Sequence, residues 1–158
     1  MGGPSDDAAA ARAAATARRL VADGVVGDTL ARASGRVGPA LPVVGSDGAT
    51  EYWFVPVVVG DPLVGFVQLD TGLRLLRYAS FQRQPGSLEG CPDASLWTDA
   101  EAVRSRAAVR ARPGESPQRT FLTYDGNPSR LAWAVELTGP GGEHRTVMVA
   151  GDHVYEPR

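Results

Sequence analysis

The sequence predicts an α+β protein built from two units, each a helix packed on a curved antiparallel sheet. Three observations predict it. Each half runs in the same order, a helix and then several strands. The halves align without gaps over their central strands when shifted by 80 residues, which places Trp53 on Trp133. The shared apolar positions alternate, as one buried face of a sheet requires. The first unit is expected over residues 1–81, a linker over 82–97, and the second unit over 98–158.

The elements follow from local chemistry. Ser5 can cap a helix, and Asp6 and Asp7 suit the positive end of its dipole. Ala8 to Ala22 is strongly helix-favouring, and Asp23-Gly24 loosens the pattern. A short helix near Asp28 to Ala33 ends at Gly35, with Leu20, Val21, Val25 and Leu30 expected to face the sheet. From Leu41 the period changes to that of strands: Leu41 to Val44, Glu51 to Val59, Leu63 to Asp70 and Leu73 to Tyr78, separated by Gly, Asp and Pro turns. Pro56 places its strand at an edge or beside a bulge. Thr98-Asp99-Ala100-Glu101 reads as a capping box that opens a helix to about Ala111, before Pro113. Strands follow at Thr120 to Tyr124, Arg130 to Leu137, Glu143 to Ala150 and His153 to Glu156.

The offset alignment is specific along the chain. Val55 meets Val135, Val57 meets Leu137, Val67 meets Val147 and Leu69 meets Val149. The Thr71-Gly72 turn falls on Gly151-Asp152.

The totals bound the rest. A chain of 158 residues suits one ordinary domain or two small ones, and halves under 80 residues are marginal alone. The net charge of −2 gives no bulk field that favours nucleic acid or an anionic membrane, so neither is expected as a partner. The single cysteine, Cys91, can form no internal disulfide. No run of 18 apolar residues exists to cross a membrane. Arg12, Arg18 and Arg19 interrupt the Ala-rich start and acids precede it, unlike a signal peptide. The chain as written is therefore expected in the cytoplasm, and in a secreted protein if a leader has been removed.

Leu131-Ala132-Trp133-Ala134-Val135-Glu136-Leu137 resembles the central strand of PepSY-type domains, which also occur in propeptides of thermolysin-like metalloproteases. Val67-Gln68-Leu69-Asp70-Thr71-Gly72-Leu73 resembles the same family's strand, Asp-x-Thr-Gly turn and strand. The resemblance implies two cystatin-like repeats in tandem and a binding or inhibitory role acting in trans. It supplies no catalytic residues. The second-half turn, Ala150-Gly151-Asp152, departs from the pattern.

Few side chains suggest chemistry. His144 and His153, with Glu143 or Asp152, fall short of a spaced metal-ligand motif, and no metal or cofactor is expected. Cys91 has no histidine near it in sequence to serve as a base. Arg104, Arg106, Arg110, Arg112 and Arg119 could hold a phosphate or an acidic partner, but helical spacing spreads them over more than one face. Tyr52 and Phe54 point away from Trp53 and are expected to form an interface, between repeats or between molecules. Tyr124 and Arg130, with Asp125 and Glu136, are expected at the mouth of any pocket between helix and sheet, where Glu51 or Asp70 could act as a base.

The sequence therefore favours a non-enzymatic module that binds a protein or peptide, a protease among the candidates, through a strand edge or the aromatic strip. The alternative is a small-molecule binder or a cofactor-free enzyme with an intra-sheet cavity. A homodimer paired through the exposed sheet face is the third reading.

Overall fold

The computed structural model describes residues 4–157, with side chains from residue 6. It is an α+β structure with an N-terminal helix on a five-stranded antiparallel sheet and a second, four-stranded antiparallel sheet with short helices. Two compact units divide it. One holds the chain to Val43 with Ala49–Ala94, the other Val44–Gly48 with Ser95–Arg158.

In the first unit α1 spans Pro4–Ala22, starting one residue before the expected cap at Ser5. Proline suits a first turn, where its missing N–H would have no partner. The expected Ser5 cap falls on a side chain outside those described. Ala13, Ala14, Ala17 and Val21 form the buried stripe of α1, and their small size lets the helix lie close to the sheet. Gly24, at φ +72°, turns the chain away from the helix axis. That turn moves the apolar register by one residue. Val26 is buried, whereas Val25, expected to face the sheet, is exposed. The second helix, α2, spans Thr29–Ser34 and is capped by Asp28, whose Oδ1 accepts from the Ala31 amide at 2.9 Å.

The first sheet has the strands β1 (Arg36–Val37), β2 (Leu41–Val44), β3 (Thr50–Val58), β4 (Leu63–Asp70) and β5 (Leu75–Ser80). The order is β1-β3-β4-β5, and β2 also pairs with β3. Pro56 therefore lies in an inner strand, opposite Phe66, and not at an edge. The ladder to β4 tolerates it because the Pro56 backbone faces the other way, where its carbonyl accepts from the Gly38 amide just past the end of β1; a bulge follows between Val57 and Val58. Trp53, Val55, Val57, Val67 and Leu69 form one core with the buried stripe of α1.

The segment from residue 82, expected as a linker to residue 97, belongs to the first unit through Ala94. The Leu63 amide donates to the Pro92 carbonyl and the Ala94 amide to the Asp61 carbonyl. Asp28 ties the same segment down with its second oxygen. Oδ2 accepts from the Gly86 amide at 2.6 Å and from Gln82 Nε2 at 3.1 Å. These bonds hold its carboxyl below the usual range, with the Ala31 amide as the largest cause.

The second unit opens on α3 (Ser95–Thr98), inside the expected linker. Its helix α4 spans Ala100–Ala107 and continues as a 3-10 turn to Arg110. Asp99, rather than the expected Thr98, is the cap and accepts from the Glu101 and Ala102 amides. Glu101 pairs instead with Arg104. The sheet order is β6 (Ser116–Tyr124), β7 (Leu131–Thr138), β8 (His144–Ala150) and β9 (His153–Tyr155).

The two sheets share one register. Trp53 pairs with Leu69 and Val55 with Val67; Trp133 pairs with Val149 and Val135 with Val147. Every one of these pairs is related by the same offset of 80 read from the sequence. The helix-facing side matches as well. Trp53 packs on α1, and the Trp133 indole N–H donates to the Trp97 carbonyl of α3 at 3.0 Å. Arg145, which pairs with Leu137 and so shares its face, donates to the Arg110 carbonyl at the end of the 3-10 turn.

Arg145 also binds Glu115 at 2.6 Å and pairs with Glu156. The Arg145 side chain, with the Arg112 amide, pulls the Glu115 carboxyl down to about 2 from its ordinary 4.5. A depressed carboxylate adds stability above its unfolded pKa and loses it as pH falls toward the folded value. Thermal melts should therefore drop more steeply with acid for the native chain than for Glu115→Gln, between about pH 4.5 and 2. Parallel curves would show that this pair does not couple to folding.

Candidate functional site

The outer strand β5 is the open edge of the first sheet. Its entry is set by the turn that carries the Asp-x-Thr-Gly pattern. The Asp70 carbonyl accepts from the Leu73 amide, and Asp70 Oδ1 accepts from the Arg74 amide at 2.9 Å. Leu73 sits at φ +66°. Asp70, weighed above as a base, thus serves as a turn acceptor. Because Leu73 and Arg74 complete the turn, β5 begins at Leu75 rather than Leu73.

Among the described residues no strand pairs with the outer side of β5. The Phe81 amide donates inward to the Val64 carbonyl. Antiparallel alternation then turns the Tyr78 and Ser80 backbone groups outward. Leu75 and Leu76 are 39% and 51% exposed beside this edge.

The aromatic strip is placed differently. Tyr52 is 4% exposed and Phe54 is fully buried. Phe54 stacks on Phe66 with ring centres 4.6 Å apart. Arg77 lies over the Phe66 ring, 5.2 Å from its centre, and its Nε donates to Gln68 Oε1 at 2.7 Å. Tyr52 and Phe54 therefore belong to a packed interior and not to an open surface.

Tyr124, Asp125 and Arg130 gather at the β6–β7 hairpin, where the Asp125 amide donates to the Arg130 carbonyl. Tyr124 is half-buried and Arg130 exposed. Glu136 lies five residues along β7 from Leu131, roughly 17 Å away at strand rise, so it does not share their mouth. Sequence reasoning missed Tyr155, whose hydroxyl donates to Asp125 Oδ2 at 2.9 Å. Burial, then that bond, pushes the phenol up to about 12.

Cys91 is half-buried and packs on the core of the first unit, where burial pushes its thiol up and away from the reactive thiolate. His144 is exposed beside Thr138, and His153 stacks on Tyr155 with centres 5.2 Å apart. Among the described residues no three His, Cys, Asp or Glu side chains converge as metal ligands would. No helix among them is long and apolar enough to cross a membrane.

Of the arginines on α4, Arg104 pairs with Glu101, while Arg106 Nη1 and Nη2 are shielded from solvent with no hydrogen-bond partner.

Compared with family models, with curated proteins and with solved structures, the chain matches none.

Proposed function

We propose that this chain is a non-enzymatic binding module that takes an extended peptide, such as a segment of a protease, by strand addition along β5. The open outer side of β5 carries this reading. An edge strand offers a row of unused backbone donors and acceptors, and side-chain neighbours supply selectivity. Here the backbone groups of Tyr78 and Ser80 face outward, with Leu75 and Leu76 beside them as apolar contacts. The matched registers of the two sheets support the finer reading, a tandem of cystatin-like, PepSY-like units. The interface between α1 and its sheet is filled by Ala13, Ala17, Trp53 and Val55, which favours a surface role over a cavity at that place.

The test uses a displayed library of random peptides panned on the full chain. Ser80→Pro removes an outward donor without touching the β4 ladder, and Leu76→Lys guards the edge with charge. Peptides enriched on the native chain should lose binding to both variants while the thermal midpoints stay close to native. Retained binding would overturn the reading, as would a library that yields no peptide. Strand addition by a second copy would show instead as a native dimer that Ser80→Pro dissociates.

A further inference from the structure

A groove of about 450 Å³ lies at the opposite edge of the first sheet, where the ends of α1 and α2 meet β1. Val21, Ala31 and Val37 give it apolar walls. Arg18 from α1, Arg32 from α2 and Arg36 from β1, all exposed, line it, and the Arg32 guanidinium lies beside Gly24. No acidic side chain lines it. Among the described residues the side chains of these three arginines form no ion pair and no hydrogen bond. Arg32 lies in the last turn of α2, where a cation complements the dipole. Arg36 lies on a strand and has no such role. Three cationic side chains without a counter-charge thus line one groove, and an anion there would be attracted by all of them.

We propose that this groove is a binding site for a small phosphate monoester with an apolar body. The guanidinium fork matches phosphate oxygens in pairs, and three cations fit a dianion better than a single carboxylate. The volume lies within the range of small-ligand sites, and the apolar walls would cover the body of the ester. The site is independent of the β5 reading, because β1 and β5 are opposite edges of the sheet.

Calorimetric titration of the full chain with hexyl phosphate tests the proposal, with inorganic phosphate and hexanol as the head and body alone. Hexyl phosphate should bind more tightly than either, and added salt should weaken it. Arg36→Gln should weaken it about tenfold or more, the effect of a lost charge-assisted pair. Arg18→Gln with Arg36→Gln should abolish it, with the circular dichroism melt unchanged. Arg74→Gln, an exposed arginine on the turn before β5 that does not line the groove, should bind as the native chain does. Absence of hexyl phosphate binding, or equal binding by the double variant, would overturn the site. Sedimentation with vesicles of phosphatidylcholine and phosphatidic acid separates the sources. Vesicle binding that Arg36→Gln removes, without binding of the soluble ester, would assign the site to a lipid headgroup and overturn the free-ligand proposal.

Discussion

Trp133→Ala is expected to destabilise the fold by about 3–5 kcal/mol, the range for truncating a large buried aromatic. The indole is 5% exposed and lies in the inner strand β7, paired on its two sides with Leu122 and Val149. Its N–H also satisfies the Trp97 carbonyl, so the truncation removes a hydrogen bond along with apolar volume. Against a typical stability of about 5–15 kcal/mol this is a large fraction. Urea titration followed by far-ultraviolet circular dichroism reads it directly. Trp133→Phe keeps much of the volume and loses the bond, and should fall between the two. A loss under about 1 kcal/mol for alanine would mean that the second sheet does not depend on this residue.

Gly65→Ala should be nearly as damaging for a different reason. A methyl group at Gly65 would meet the Tyr78 side chain and stand 2.6 Å from the Ala79 carbonyl oxygen. The neighbouring strand backbone cannot move away without breaking its ladder to β4. Overpacking of this kind costs about 1–3 kcal/mol. The Tyr78 hydroxyl is the first atom in the way, and it is buried with no hydrogen-bond partner. Burial pushes that phenol up to about 12. Tyr78→Phe alone should therefore be neutral or slightly stabilising, since it removes an unsatisfied group. In the double variant the cost of Gly65→Ala should fall but persist, because the Ala79 carbonyl remains. Equal costs in both backgrounds would show that the hydroxyl is not the obstacle.

The central strands were legible because alternation and a buried face specify each other. Trp53, Val55, Val67 and Leu69 read as one face in the sequence and pair as one face in the sheet. Short or irregular elements were not legible. β1 has two residues, too few for any period. β6 starts at Ser116, because a register shift between Pro117 and Thr120 lets a proline and a charged stretch pair with β7. The strap from residue 82 looked like a linker because its Gln, Pro and Gly residues have no period. What holds it is Asp28, 54 and 58 residues earlier in the chain.

The sites divide in the same way. The Asp70 turn was visible as a motif, and its hydrogen bonds supply the reason. The arginine groove was invisible, since Arg18, Arg32 and Arg36 come from three elements with no spacing that links them. Phe54 is buried and stacks on Phe66 of the neighbouring strand, and composition cannot distinguish that from an exposed strip.

The account rests on two sheets that carry the same pairing at a fixed offset. Cross-strand nuclear Overhauser effects in the labelled protein measure that pairing residue by residue. Backbone contacts should join Trp53 to Leu69 and Val55 to Val67, and likewise Trp133 to Val149 and Val135 to Val147. Partners displaced by one residue in either sheet would turn its tryptophan to the other face and contradict the account.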